Sequence, residues 1–321
     1  MSFDVVTIGR HTLYLGRAED VLPTLSDASV DAVVTDPPFF GVSREEWDNQ
    51  WGSEADFLAW LADVSCHWHR LMRQNGSLYV FASPQLAAKT ELLIAERFAV
   101  LNSITWQKDF PCGALKYGAE NFRSFVSMSE RIIFAEHRNA FGAVLRAARV
   151  AAGLSAKALC ERIGAHGEVN HGGAVCNWEC GLNLPSKEHW EAMSSLLRLP
   201  SYEDAVRPFF ATKDTPHTDT WTFKPVRQAN LLHPCEKPLP LLRHILTSST
   251  LAGATALDCF LGSGTTAVAC EQTGRRCIGI EKDPTYFALA VRRLTEAVNS
   301  TPLFPEPPAA AAQPSLFGET P

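Results

Sequence analysis

Three short runs hold residues whose types and spacing could do chemistry. The first is Asp36-Pro37-Pro38-Phe39. An aromatic amino group is a poor nucleophile, because its lone pair is delocalised into the ring. A carboxylate and a fixed backbone carbonyl can accept its two hydrogens, draw the nitrogen toward tetrahedral geometry and expose the lone pair. Prolines fix the direction of that carbonyl, and Phe39 offers a face on which a flat base can stack. The same Pro-Pro pair also suits a plain strand-ending turn. The second run is Asp258-Cys259-Phe260-Leu261-Gly262-Ser263-Gly264-Thr265-Thr266. Its glycines let backbone N–H groups approach a ligand at the positive end of a helix. The third feature is Glu281, 19 positions after Gly262, where nucleoside-binding sheets carry an acid for the ribose hydroxyls. Glycines alone would also fit a structural turn, but glycines and acid together suit an adenosine-bearing cofactor. The G-x-x-x-x-G-K-[ST] phosphate loop is absent, and so is the strict G-x-G-x-x-G of nicotinamide sites.

These residues need elements to hold them. The β-branched run 30–35 rises straight into Asp36, and two prolines cannot continue a central strand. Asp36 therefore sits at a strand's carboxyl end, where open α/β sheets bind ligands. Further strands are expected at 12–16, 77–81, 100–106, 131–135, 255–258 and 276–281, with Asn75-Gly76 as a turn before the second of them. Helices are expected at 18–25, 57–72, 86–96, 263–273 and 284–298, and one ending at 243–248. This alternation predicts a wound βαβ sheet. Residues 139–200 break it with an almost wholly helical stretch.

Composition narrows the class. The chain has 321 residues, 46% of them apolar, and a net charge of −6. That is an ordinary globular composition, and it excludes a uniformly basic nucleic-acid coat while leaving room for a local basic cleft. The start shows no charged segment followed by an apolar run, so no secretory signal is read. The most apolar window, 251–270, is too polar to span a bilayer. Nine scattered cysteines without a C-x-x-C pair read as reduced cytoplasmic thiols rather than a zinc site. No metal and no membrane partner are expected.

The motifs resemble those of the amino-group DNA methyltransferases that use S-adenosylmethionine. That family carries (D/N/S)-P-P-(Y/F) for catalysis and D-x-F-x-G-S-G-T-T for the cofactor. Here the catalytic motif comes first, an order that resembles the circularly permuted β group. His233-Pro234-Cys235-Glu236-Lys237-Pro238 resembles the family's H-P-T-x-K-P, and Gly279 to Tyr286 resembles its G-x-E-x-x-x-x-Y. Trp106-Gln107-Lys108 and Ser129 to Ile133 match weaker signals. The resemblance implies an α/β fold, a Rossmann-like doubly wound methyltransferase sheet in permuted motif order with an inserted helical domain. Asp36 and the Pro37 carbonyl would hold the target amine, Pro38 would stiffen the turn, and Phe39 would stack on a flipped base. Asp258, Phe260, Gly262 and Gly264 would line the cofactor, Glu281 would take its ribose, and Lys237, Ser263 and Thr265 would sit near its methionine carboxylate. Cys235 and Cys259 stand where the family usually has Thr and Pro. The acidic first position resembles adenine-N6 enzymes of restriction-modification systems, with cytosine-N4 methylation as the alternative and an inactive DNA-binding regulator as a remote one. A homodimer is a further implication.

The resemblance divides the chain at 1–138 (catalytic half), 139–202 (insertion), 203–299 (cofactor half) and 300–321 (tail). The insertion resembles a repressor-type helix-turn-helix, from Leu145 through Ser155 to Trp178-Glu179 and Pro185-Ser186. It is expected to read double-stranded DNA through Asn177, although 139–200 holds only six Lys and Arg against five Asp and Glu. Lys108, Arg123, Lys213, Lys224 and Arg227 are the expected phosphate contacts. The tail has six prolines and no Lys or Arg, a composition that cannot build a core. Within it Gln313, Leu316 and Phe317 resemble a sliding-clamp pentapeptide.

Overall fold

The computed structural model describes residues 3–42, 45–108, 125, 127–138, 140–165, 173–210, 218–226 and 231–300. Nine strands among them form one sheet: β1 (Asp4–Ile8), β2 (His11–Leu15), β3 (Val30–Thr35), β4 (Met72–Ala82), β5 (Phe98–Lys108), β6 (Ser129–His137), β7 (Thr220–Phe223), β8 (Thr255–Asp258) and β9 (Arg276–Glu281). Their order is β1-β2-β9-β8-β3-β4-β6-β5-β7. β1 pairs antiparallel with β2, and β6 antiparallel with both β4 and β5; the other neighbours run parallel. The Rossmann-like wound sheet expected from the sequence is present, with β1 and β7 as added edges.

β3 lies at the centre because both its faces are apolar. Val33 packs into one layer, while Ala32 and Val34 pack into the other, as expected of a parallel strand covered on both sides. The first layer is built by α1 (Ala18–Val21), α2 (Glu54–Leu71) and α3 (Ala87–Ala95). In α2, Phe57, Leu61, Val64, Trp68 and Leu71 recur at helical spacing and are buried. Ser53 caps this helix by accepting from the Asp56 N–H at 3.2 Å, so α2 starts three residues earlier than its apolar pattern suggests. The opposite layer is built by α9 (Leu239–Ser249), α10 (Thr265–Gln272) and α11 (Pro284–Ser300).

The chain leaves β3 toward β4 on one side and leaves β8 toward β9 on the other. The β3–β8 border is therefore the switch point, where a crevice opens at the carboxyl ends. Thr35, Asp258 and Glu281 end three adjacent strands there.

Two local expectations are corrected. Asn75-Gly76 is not a turn between elements but lies inside β4. Val30 pairs with Met72 and Ala32 with Ser77, so the extra residues form a bulge that keeps the strand continuous. Residues 4–8, not read as a strand, form β1 through a tight hairpin in which Ile8 faces His11.

The intervening helices are α4 (Ala140–Ala151), α5 (Ala156–Ile163), α6 (Gly173–Glu179), α7 (Lys187–Leu196) and α8 (Tyr202–Ala205). They bury a cluster of their own, including Leu145, Leu159, Val175, Trp178, Trp190 and Met193. α4 and α8 rest on β4, and Asn75 donates to the Glu203 carbonyl at 2.7 Å. Asn75 is at the amino end of β4, whereas the crevice lies beyond its other end. At about 3.3 Å per strand residue, the two are separated by on the order of 20 Å.

Candidate active site

A cleft of about 580 Å³ opens at the switch point, within the range of small-molecule sites. Its floor is the turn after β8. Asp258 lines the cleft but spends most of its acceptor capacity within the protein. It accepts from Thr266 Oγ1 at 2.6 Å, from the Phe260 N–H at 3.2 Å and from Thr35 Oγ1 at 3.3 Å. Burial pushes its carboxyl up to about 6, against the pull of these hydrogen bonds. The residue expected to line the cofactor thus shapes the turn that would do so. Cys259 also has a structural partner: Trp68 Nε1 donates to its Sγ at 3.2 Å.

Glu281 reaches across to the same turn. Its Oε2 accepts from the Gly262 N–H at 2.7 Å and its Oε1 from the Asp283 N–H at 2.8 Å. A carboxylate offers about four acceptor positions, so acceptor capacity remains for hydroxyl donors. Burial raises its affinity for protons, and the two backbone N–H groups oppose that. Gly264 starts α10 at φ +83°. Ser263 and Thr265 line the cleft and are tied into a polar network. Arg293 donates to Ser263 Oγ at 2.7 Å and pairs with Glu236 at 2.9 Å, and Thr265 Oγ1 donates to Glu236 at 3.3 Å.

The other end of the cleft holds Asp36. Its Oδ2 lies 2.7 Å from Lys237 Nζ, while its buried Oδ1 has no hydrogen-bond partner among the described residues. Burial raises the carboxyl to about 7, with Glu130 and Asp258 adding to the rise and Lys237 opposing it. Phe39 is held from behind: its N–H donates to Asp48 at 2.8 Å. Lys237 lines the same cleft and lies between Asp36 and Glu130, 3.1 Å from the latter, because the segment before α9 crosses the ends of β3 and β6. The ammonium also stands 5.2 Å from the Phe39 ring centre and 5.1 Å from that of Phe81.

Aromatic rings close the flanks. Trp60 packs against Phe260 at 5.6 Å and donates to Glu19 at 2.7 Å. Trp47 stacks on His233 at 5.4 Å, and His233 meets Tyr286 edge-on at 4.3 Å. Burial lowers His233 to about 4 and raises the Cys235 thiol to about 11, so both are neutral near pH 7. Trp47, Asp48, Trp60 and Glu130 were not singled out from sequence. Only Glu130 lay in a noticed motif, and the rest join the site through long-range packing.

The expected DNA contacts divide. Lys224 is exposed just after β7, at the carboxyl side of the sheet. Lys108 is engaged with Glu130 at 2.5 Å. Asn177, on α6, belongs to the helical cluster at the amino ends and is not brought near Asp36. In that cluster Trp178 is buried and Glu179 pairs with Arg149, so packing accounts for the Trp-Glu pair. Arg123, Lys213, Arg227, Gln313, Leu316 and Phe317 lie outside the described residues. No helix among the described residues is long and apolar enough to cross a membrane.

Comparison with known proteins agrees with this geometry. A family model described as DNA methylase matches residues 30–292. The chain is 24% identical over 301 residues to the Type II methyltransferase M2.MboI of Moraxella bovis, covering 88% of this chain and 87% of that one. It is 25% identical over 293 residues to the DNA adenine methyltransferase YhdJ of Escherichia coli K12, covering 89% and 83%. Two solved structures share the fold. The M1.HpyAVI–SAM complex has a TM-score of 0.51 at 21% identity, covering 88% of this chain and 98% of that one. The cytosine-N4-specific PvuII DNA methyltransferase has a TM-score of 0.56 at 13% identity, covering 91% and 93%.

Proposed function

Because the chain belongs to the DNA methylase family, we propose that it methylates the N6 amino group of adenine in double-stranded DNA, with S-adenosylmethionine as methyl donor. One observation carries this reading: a buried carboxylate oxygen of Asp36 without a partner, in a cleft whose other end is the glycine turn and Glu281. The acidic first position of the Asp36 motif and the likeness to an adenine methyltransferase favour adenine over cytosine.

The residues present fit the donor. Glu281 keeps acceptor capacity for ribose hydroxyls, and Phe260 with Trp60 offers flat apolar surface in the same cleft. When bound, S-adenosylmethionine supplies a methyl group on an already positive sulfur, so its departure needs no further activation.

This chain's own residues then do the positioning. A base must leave the stack to enter the cleft, at a cost of about a few kcal/mol, and Phe39 offers it a stacking surface. Asp36 Oδ1 accepts one N–H of the exocyclic amine and the Pro37 carbonyl accepts the other. The nitrogen is thereby drawn toward tetrahedral geometry, with its lone pair aimed at the methyl group. As the N–C bond forms and the S–C bond breaks, positive charge develops on nitrogen, where the Asp36 carboxylate stabilises it. The excess proton passes to Asp36, whose raised affinity suits a transient acceptor, and then to water.

Contacts to the duplex fall to loops at the carboxyl side of the sheet, including the segment from Lys224, rather than to α6. The reading of Gln313, Leu316 and Phe317 as a clamp ligand, and that of a homodimer, rest on sequence resemblance alone. The direct test is to incubate the purified protein with methyl-labelled S-adenosylmethionine and unmethylated duplex DNA, then separate the nucleosides. Label in N6-methyl-2′-deoxyadenosine supports the reading. Label in N4-methyl-2′-deoxycytidine transfers the assignment to the other base, and no label in DNA overturns it.

A further inference from the structure

Four charged side chains from four elements meet at the Asp36 end of the cleft. Lys108 ends β5, Glu130 opens β6, Lys237 precedes α9, and Asp36 follows β3. Their signs alternate in space. Lys108 Nζ lies 2.5 Å from Glu130 Oε1, and Lys237 Nζ lies 3.1 Å from Glu130 Oε2 and 2.7 Å from Asp36 Oδ2. The chain of charges is neutral as a whole, which is what burial demands of ions. Lys237 and Glu130 are the most enclosed members, with side chains 9% and 12% exposed.

The second acceptor matters for geometry. An ammonium facing a single carboxylate is free to centre itself between both oxygens. Here a second carboxylate, whose Oε2 lies at an ion-pair distance of 3.1 Å without a formed hydrogen bond, and two ring faces stand beside Lys237 and bias it to one side. The result is an asymmetric Asp36, with Oδ2 engaged and Oδ1 buried but open.

We propose that Lys237 and Glu130 are positioning residues for Asp36: Lys237 fixes Oδ2, and Glu130 holds the ammonium off Oδ1, leaving that oxygen aimed at the target amine. The inference rests on the reading of Asp36 as the amine acceptor, and it moves Lys237 from the cofactor end of the cleft to the base end. It also gives Glu130 a role that sequence resemblance did not assign. Lys108 acts one step further back, holding Glu130 from the other side.

The pair makes opposite demands on the ionisation of Asp36. The groups facing Asp36 are Lys237 from the segment before α9, Glu130 from β6, Asp258 from β8 and the neutral Cys235 thiol. Lys237 favours the carboxylate, whereas Glu130 and Asp258 disfavour it. Removing Lys237 therefore moves the acid limb of the pH–rate profile upward, and neutralising Glu130 moves it downward.

The test compares wild type, Lys237→Met and Glu130→Gln. Methyl transfer to DNA is measured from pH 5.5 to 9, and S-adenosylmethionine affinity by calorimetry. Lys237→Met is expected to lower kcat about 100-fold, the scale of a misplaced reacting group. Its acid limb should rise by about one pH unit, the low end of what a close opposite charge supplies, with cofactor affinity unchanged within about threefold. Glu130→Gln should lower kcat less and shift the limb the other way. A tenfold loss of cofactor affinity in Lys237→Met with kcat preserved returns Lys237 to the cofactor and overturns the proposal. So does loss of activity in both variants with unmoved limbs, which indicates scaffolding only. If Lys237→Met does not fold, the near-isosteric Glu130→Gln decides alone by the direction of its limb. A wild type that transfers nothing to DNA overturns both readings; an active wild type with unshifted variants overturns only this one.

Discussion

Substituting alanine at two glycines separates the demands of backbone conformation from those of close packing. Gly264 opens α10 at φ +83°, and a Cβ there would lie 2.8 Å from Ala290 Cβ and 2.9 Å from Ala290 Cα. Those atoms belong to α11 and cannot swing aside. Gly274 follows the same helix at φ +72°, but a Cβ there would meet nothing within 4 Å. The left-handed conformation costs an L-residue about 1–2 kcal/mol at either position. The stiffer unfolded chain returns about 0.4–1 kcal/mol to both. Gly264→Ala additionally forces α10 and α11 apart, an overpacking cost of about 1–3 kcal/mol. Gly264→Ala should therefore be less stable than Gly274→Ala by about that last amount, whatever the common part is. Thermal and urea unfolding of the two variants, side by side, measure the difference. The same displacement moves the turn carrying Ser263 and Thr265, so Gly264→Ala should also bind S-adenosylmethionine more weakly, whereas Gly274→Ala should bind it normally. Equal stabilities would show that α11 yields freely, and the reasoning about close approach at Gly264 would fail.

Other consequences are sharper for activity or for folding. Methyl transfer should fall as pH drops through about 7, because protonated Asp36 donates where it must accept; a pH–rate profile flat down to pH 5.5 contradicts this. Asp48→Ala leaves the Phe39 N–H without its 2.8 Å acceptor, costing about 1–3 kcal/mol. It should raise KM for DNA while calorimetric cofactor affinity stays as in wild type. Arg149→Ala removes the guanidinium that pairs with Glu179, whose side chain is only 7% exposed, and that donates to the Leu154 carbonyl, which should loosen the helical cluster by about 1–3 kcal/mol. Limited proteolysis should then cut within 140–205 much faster than in wild type, and unchanged cleavage would refute the internal pairing.

The parts of the site that were legible in sequence are those carried by consecutive residues. A β-branched run stopped by two prolines can only place Asp36 at a strand end. A glycine turn between strand and helix, followed by an acid at the end of the next strand, can only bring Glu281 back to Gly262. What escaped was set by contacts between distant segments. Lys237 has a motif around it but nothing local to say which end of the cleft it enters, and that depends on Glu130, 107 positions away. Asn75-Gly76 carries a turn signature, yet β3, paired at Met72 before it and at Ser77 after it, holds the chain in the sheet through a bulge. The helical segment was legible as helices, but its site of attachment was not. That site follows from β6 running antiparallel, which delivers the chain to the amino end of the sheet.

The central claim is that Asp36 directs methyl transfer to the adenine amino group. Its most direct test is nucleoside mass spectrometry of DNA from a host lacking its own methylases, expressing either wild type or Asp36→Ala at equal soluble levels. N6-methyladenine in the wild-type sample and its absence from the Asp36→Ala sample is the expected result. N6-methyladenine in both, or N4-methylcytosine in place of it, would contradict the account.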